Sequence, residues 1–199
     1  MSESSDFPGQ PEISDRLSRI PKNESSPVVG YILLLVGVGM VAYGITALWF
    51  GMRDVMDVGG YCAEGGPYVI QQHCPDGAEL LMFTGIPVGI IGLFVAMAGA
   101  AKSAKGAMGL LLLGWPAIFI SLGYNFIDYA INPPEGMGST VGWWVCGVIF
   151  ALMGLPALAA VPMLVKAIQP NRRSAVLAVF SVAAVIGVIG GILVANSVD

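Results

Sequence analysis

The chain has 199 residues, 56% of them apolar and 11% charged, with a mean hydropathy of +0.78, where soluble domains run at roughly 45–50% apolar and about 25% charged. Its 13 acidic and 9 basic side chains leave a net charge of -4, the wrong sign for a nucleic-acid partner, which needs clustered Lys and Arg. These figures exclude a soluble enzyme and leave a small polytopic membrane protein; with its five apolar runs and its cysteine pair, the chain reads as all-α, a bundle of five transmembrane helices with a disulfide-capped outer loop.

Residues 1–27, rich in Ser, Pro and acidic groups, read as a disordered cytoplasmic tail. They lack the basic start, short apolar run and cleavage site of a secretory signal, so an uncleaved first span is expected. Within the tail, Ile13, Leu17 and Ile20 form an apolar stripe beside Arg16 and Arg19, the pattern of a short helix that docks on a partner or on anionic lipid. Residues 28–199 form the membrane domain. Its charge-free apolar runs at 28–50, 80–101, 107–127, 141–165 and 175–195 each approach the roughly 20 residues that cross the hydrocarbon as a helix.

The outer loop, 51–79, is punctuated by turn signals at Gly59-Gly60, Gly65-Gly66-Pro67 and Pro75-Asp76-Gly77, with Tyr68-Val69-Ile70 as a short extended piece between them. Cys62 and Cys74 lie near its two ends. On the oxidising side of a membrane they are expected to form a disulfide, restraining a loop too small for its own core by about 2–4 kcal/mol. A redox role would need a Cys-x-x-Cys pair or an environment that acidifies a thiol. A zinc site from Cys62, His73, Cys74 and Asp76 lacks the usual paired spacing, so His73 reads as a solvated loop residue.

Cys62, Gly65-Gly66-Pro67-Tyr68 and Cys74-Pro75, followed directly by a span, resemble a group of small uncharacterised integral membrane proteins of high-GC Gram-positive bacteria. The resemblance covers this loop and the helix after it, and implies no activity. Trp49, Gly60 and the cysteine pair also invite comparison with claudins, from which the five spans and the missing Gly-Leu-Trp context separate this chain. A quinone-linked disulfide oxidoreductase would share the helix count but carry a Cys-x-x-Cys.

Span two carries a seam of small residues, Gly85, Gly89, Gly92, Ala96 and Gly99 or Ala100, and span five repeats it in Ala183, Gly187 and Gly191. Such faces let helices approach closely, within the chain or between subunits, with packing inside the chain favoured. Pro87, Pro116, Pro156 and Pro162 bend their spans, which shapes the bundle and leaves room for a cleft near Trp115 and Pro116, below Tyr124 and Asn125. Spans two–three and four–five each run outward-to-inward and back through a basic turn, a faint internal duplication. Trp49, Trp143 and Trp144 mark an interfacial belt, and Cys146 reads as a small apolar residue of span four.

Orientation follows from Lys and Arg. Arg16, Arg19, Lys22, Lys102, Lys105, Lys166, Arg172 and Arg173 fall in alternate connecting segments, and Arg53 is the only basic residue in the others. The N-terminus is therefore expected in the cytoplasm and the C-terminus outside the plasma membrane. No Asp, Glu, Lys, Arg or His interrupts the five runs, which disfavours proton-coupled transport. Arg53, Asp54, Asp57 and Asp128 at outer helix ends read as hydrated boundary charges, with a vestibule as the alternative.

No phosphate loop, paired-histidine zinc motif or GxSxG elbow is present, so no catalytic, cofactor or metal residues are assigned. The expectation is a non-catalytic protein, an accessory or structural subunit of a plasma-membrane complex, meeting a membrane-protein partner through its small-residue faces. The alternative is a facilitator or channel for a neutral or small apolar solute, with a polar path along Thr46, Thr84, Ser121 and Asn125.

Overall fold

A Ser-Pro pair opens the first helix. In α1 (Pro27–Asp57), the Ser26 hydroxyl accepts from the Val28 N–H at 3.3 Å and Pro27 takes the first position, where its missing donor and fixed φ do no harm. The structure is a computed structural model describing residues 26–60, 62, 73–134 and 139–198. The tail stripe at Ile13, Leu17 and Ile20, the Gly65-Gly66-Pro67 turn and the Tyr68-Val69-Ile70 piece lie outside those residues.

At 31 residues, α1 is about 46 Å long, against a hydrocarbon layer of about 30 Å. It does not stop at Phe50 as the hydropathy suggested but continues to Asp57, because nothing breaks it before Gly59 and Gly60. These take φ of 99° and 85°, and the Gly60 and Gly59 N–H groups return to the Val55 and Met56 carbonyls at 2.9 and 3.0 Å, closing the helix end.

α2 (Ala78–Ser103) runs unbroken through Pro87. A tight 3-10 segment (Ala107–Leu113) then leads into α3 (Gly114–Ile131), so that Pro116 falls in the first turn of α3 rather than mid-helix, where its lack of an N–H is tolerated. Span four divides into α4 (Val141–Leu158) and α5 (Val161–Ala167). Pro162 cannot donate to Leu158 and crowds it, and the Ala159 and Ala160 N–H groups fall back on the Pro156 and Ala157 carbonyls at 3.1 and 3.2 Å. α6 (Arg173–Val198) completes the chain. The spans are Pro27–Asp57, Ala78–Ser103, Ala107–Ile131, Val141–Ala167 and Arg173–Val198, and no strand occurs among the described residues. The chain is a multi-span α-helical membrane protein.

α1 is the central strut. Its Gly30, Gly37, Gly44 and Gly51 recur every seventh residue and pack on antiparallel α2, whose Ala78, Gly85, Gly92 and Gly99 recur at the same interval on the face turned to α1. A seven-residue repeat keeps two small faces opposed along their whole length. A Cβ built on Gly44 would lie 2.6 Å from the Gly85 carbonyl oxygen, and one on Gly92 would lie 2.5 Å from Met40 Cβ. α6 runs parallel to α1 on another side, Gly187 against the Gly39 carbonyl and Gly191 beneath Thr46.

α4 packs chiefly on α3, Gly147 against Ile127 and Gly154 against Ile120. The pairs that pack are therefore spans one–two, one–five and three–four, not the two–three and four–five hairpins of a duplication. The result is two bodies, a three-helix unit of α1, α2 and α6 and an α3–α4 hairpin, which meet along a short stretch of α1 and α3.

At the basic end the two bodies are stitched through their turns. The Gln169 N–H donates to the Lys105 carbonyl at 3.0 Å, and Gly106 sits against the Ala167 carbonyl. The Arg172 guanidinium donates to the Ser103 carbonyl at 2.9 Å, and Arg173 to the Lys166 and Ile168 carbonyls at 3.0 and 3.2 Å. Cations there satisfy the orphan carbonyls that end α2 and α5 and complement their dipoles.

Candidate functional site

The extra turns of α1 carry Trp49, Arg53 and Asp57, four residues apart and so on one stripe. On α3 a matching stripe carries Asn125, Asp128 and Tyr129, with Asn132 just past the helix end. The two stripes meet at the end of the bundle that bears the Cys62–Cys74 loop. Arg53 donates to Asp128 at 2.8 Å and to the Asn125 side-chain oxygen at 3.4 Å. Its guanidinium lies 5.1 Å from the Trp49 ring centre and 5.0 Å from that of Tyr129, within cation–π range of both.

The Tyr129 hydroxyl donates to the Asp57 carboxylate, with the Arg53 carbonyl 3.2 Å away. Asn125, fully buried, donates to the Trp49 carbonyl at 3.4 Å, and Asn132 donates to Asp128 at 3.2 Å. These charges are thus bonded to one another rather than standing as separate hydrated groups. The Arg53 and Asp128 side chains are 27% and 26% exposed, which removes part of the screening that makes a surface ion pair weak.

An aromatic ladder carries the hairpin up to this cluster. Trp115 packs on Phe119 with ring centres 4.4 Å apart, Phe150 and Phe126 stack at 5.4 Å, and Trp143 stacks on Tyr129 at 5.5 Å. The Trp115 indole N–H donates to the Met153 carbonyl at 3.1 Å. Trp49 and Trp143 therefore do more than mark an interfacial belt: one covers the guanidinium and the other braces the tyrosine beside it.

Two hollows flank the cluster. A crevice of about 500 Å³ separates α1 from the hairpin, with Trp49 and Tyr124 at one end and Pro116, Ala117 and Ile120 along its length. Of the residues named for a cleft in the sequence, Pro116 and Tyr124 line it and Trp115 and Asn125 do not. A second hollow of about 540 Å³ lies beside the Cys62–Cys74 pair and is bounded by Met52, Met56, Met82 and Trp143.

Cys62 and Cys74 are disulfide-bonded, with Cα atoms 4.8 Å apart. Both sulfurs are thus committed to each other. His73 is exposed, and among the described residues no three His, Cys, Asp or Glu side chains converge as metal ligands would. Cys146 carries a free thiol on α4.

The assigned packing residues all lie on interfaces within the chain. Gly85, Gly89, Gly92 and Ala96 meet α1, and Ala183, Gly187 and Gly191 meet α1 from the other side. Of the polar positions proposed for a solute path, Thr46 donates to the Ala42 carbonyl, Thr84 to that of Leu80 and Ser121 to that of Ile118, at 2.8, 2.7 and 2.8 Å. Each hydroxyl is turned back on its own helix. Ser121 and Asn125 lie one turn apart on α3, whereas Thr46 packs against Gly191 of α6.

Arg53, Asp57, Asp128 and Tyr129 as one bonded cluster is what sequence reasoning missed. The available signal was the four-residue spacing of Trp49, Arg53 and Asp57, invisible once α1 was ended at Phe50. No family model, no curated protein and no solved structure matches the chain.

Proposed function

We propose that this chain is a non-catalytic protein of the plasma membrane, N-terminus cytoplasmic and C-terminus outside, and that it serves as an accessory or structural subunit of a membrane complex. The observation that carries this reading is the internal use of its polar groups. Thr46, Thr84 and Ser121 donate to their own helices, and Arg53, Asp57, Asn125, Asp128 and Tyr129 bond to one another. A carrier or an enzyme keeps such groups free to meet a solute; a scaffold uses them to hold its helices in place. The gathering of Lys102, Lys105, Lys166, Arg172 and Arg173 at one end supports the orientation.

The small-residue seams of α2 and α6 are occupied within the chain, so a partner helix would meet α4. Its buried residues, Gly147 and Gly154, both face α3, whereas Val145, Ile149 and Leu152 turn outward, each about half exposed or more. Extraction from the native membrane in a mild detergent, sizing, and mass-spectrometric identification of co-migrating chains test the proposal. A partner at fixed stoichiometry, lost when Ile149 and Leu152 are replaced by bulky tryptophans, is the expected result. A chain that runs alone or only with itself removes the accessory role and makes liposome flux of neutral solutes the next assay.

A further inference from the structure

Charge is divided along the bundle. Every described acidic residue, Asp54, Asp57, Asp76, Glu79 and Asp128, lies at the end that bears the Cys62–Cys74 loop, whereas Lys102, Lys105, Lys166, Arg172 and Arg173 lie at the other. Glu79 and Lys102 mark the two ends of α2, about 35 Å apart, which is more than four times the screening length of about 8 Å at physiological salt. The described acids therefore do not offset the bases. Residues 1–25 carry five acidic and three basic side chains, enough to offset only part of the excess.

The bases are gathered as well as being on one side. The turn after α2 and the turn before α6 touch: the Gln169 N–H donates to the Lys105 carbonyl at 3.0 Å, and Gly106 lies against the Ala167 carbonyl. Lys105 and Lys166 each stand one residue from that second contact, with Lys102 in the last turn of α2. Arg172 and Arg173 send their guanidinium groups to the Ser103, Lys166 and Ile168 carbonyls, neutral acceptors that leave the charge in place. Lys102, Lys105 and Lys166 are all exposed, and their ammonium groups have no hydrogen-bond or ion-pair partner among the described residues. α1 and α6 also begin at this end with no acidic residue in their first turns, so their positive ends add to the field.

Like charges held together repel unless an anion sits among them. The arginines fasten the turns, and the lysines are left to meet that anion. They stand at the ends of apolar spans, where the phosphates of a bilayer lie. Three residues deeper along each span are Met108 and Met163, 41% and 74% exposed, so a cation and an apolar side chain are stacked as phosphate and acyl chain are in a phospholipid. A free phosphate would use only the first of these. We infer that the joined turns bind an anionic phospholipid, its headgroup phosphate between Lys105 and Lys166 with Lys102 beside it. The surface depends on the spans crossing a membrane and not on the accessory role.

Native mass spectrometry of the whole protein, in mild detergent with equal amounts of phosphatidylglycerol and phosphatidylcholine, tests it. Wild-type protein should retain the anionic lipid in preference by at least about ten-fold, and Lys102→Gln/Lys105→Gln/Lys166→Gln should lose that preference, each lysine at a membrane surface contributing several-fold. The same three positions changed to Arg should keep it. Arg16→Gln/Arg19→Gln/Lys22→Gln, which removes equal charge from the tail, should keep it too. No preference in the wild type, or an equal loss in the tail variant, overturns the proposal: the second would mean general attraction to any nearby cation.

Thermal unfolding in detergent separates lipid from free anion. Phosphatidylglycerol should raise the wild-type midpoint, as a ligand of the folded state does, and should not raise that of the lysine-to-glutamine variant. Phosphatidylcholine and inorganic phosphate at the same concentration should leave the wild type unmoved. An equal rise with inorganic phosphate would make this a site for small anions, and the lipid assignment would fall.

Discussion

At the scale of single residues, Arg53 is the side chain on which most converges. It is stacked between two rings and bonded to Asp128 and Asn125, so removing it strands two acceptors and uncovers two aromatic faces. Arg53→Met should destabilise the protein by about 1–3 kcal/mol, the sum of a partly screened ion pair and two cation–π contacts, measured as a shift in unfolding midpoint in detergent. Arg53→Lys keeps the charge but loses the planar fork that permits stacking and pairing at once, so it should recover less than half of that loss. Full recovery would show that charge alone matters. High salt should shrink the effect of Asp128→Asn while leaving most of the Arg53→Met effect, since screening weakens the ion pair more than the ring contacts.

At the scale of helices, the glycines separate into those under contact and those in the open. Gly44 and Gly92 have no room for a Cβ, whereas Gly114 and Gly142 have nothing within 4 Å. Ala at either of the first two should push α1 from α2 and cost about 1–3 kcal/mol, while Gly114→Ala and Gly142→Ala should be neutral or slightly stabilising, helical Ala being preferred to Gly. Equal losses at all four positions would mean that glycine serves flexibility rather than close approach. The Cys62–Cys74 bond gives a second check: unreduced protein should take up one alkylating label, at Cys146, and three after reduction. The spans were legible in the sequence because hydropathy and charge are local properties of a window. Span bounds were less so, since Pro87 and Pro162 look alike in sequence, yet α2, braced along α1, passes through one while span four breaks at the other. The seven-residue glycine repeat of α1 was present to be read, but its meaning depends on the opposed repeat in α2.

At the scale of the whole molecule, the candidate site was hidden because it joins positions 75 residues apart, Arg53 and Asp128, and exists only where two separately packed bodies touch. The α3–α4 hairpin is fastened to the three-helix unit at both ends, by this cluster and by the turns around Gly106 and Arg172, with the crevice between. A body held at two points and loose between them should swing when one point is released. Spin labels at Val145 on α4 and Leu193 on α6, both exposed, report across the two bodies; labels at Phe83 on α2 and Leu193 report within one. Arg53→Met should broaden the first distance distribution and leave the second unchanged, because the seam between α1 and α2 is independent of the cluster. Broadening of both would mean that Arg53 supports the entire bundle, and broadening of neither that the basic turns alone hold the hairpin. In the expected case, the width of the crevice would depend on the one guanidinium that stacks on Trp49.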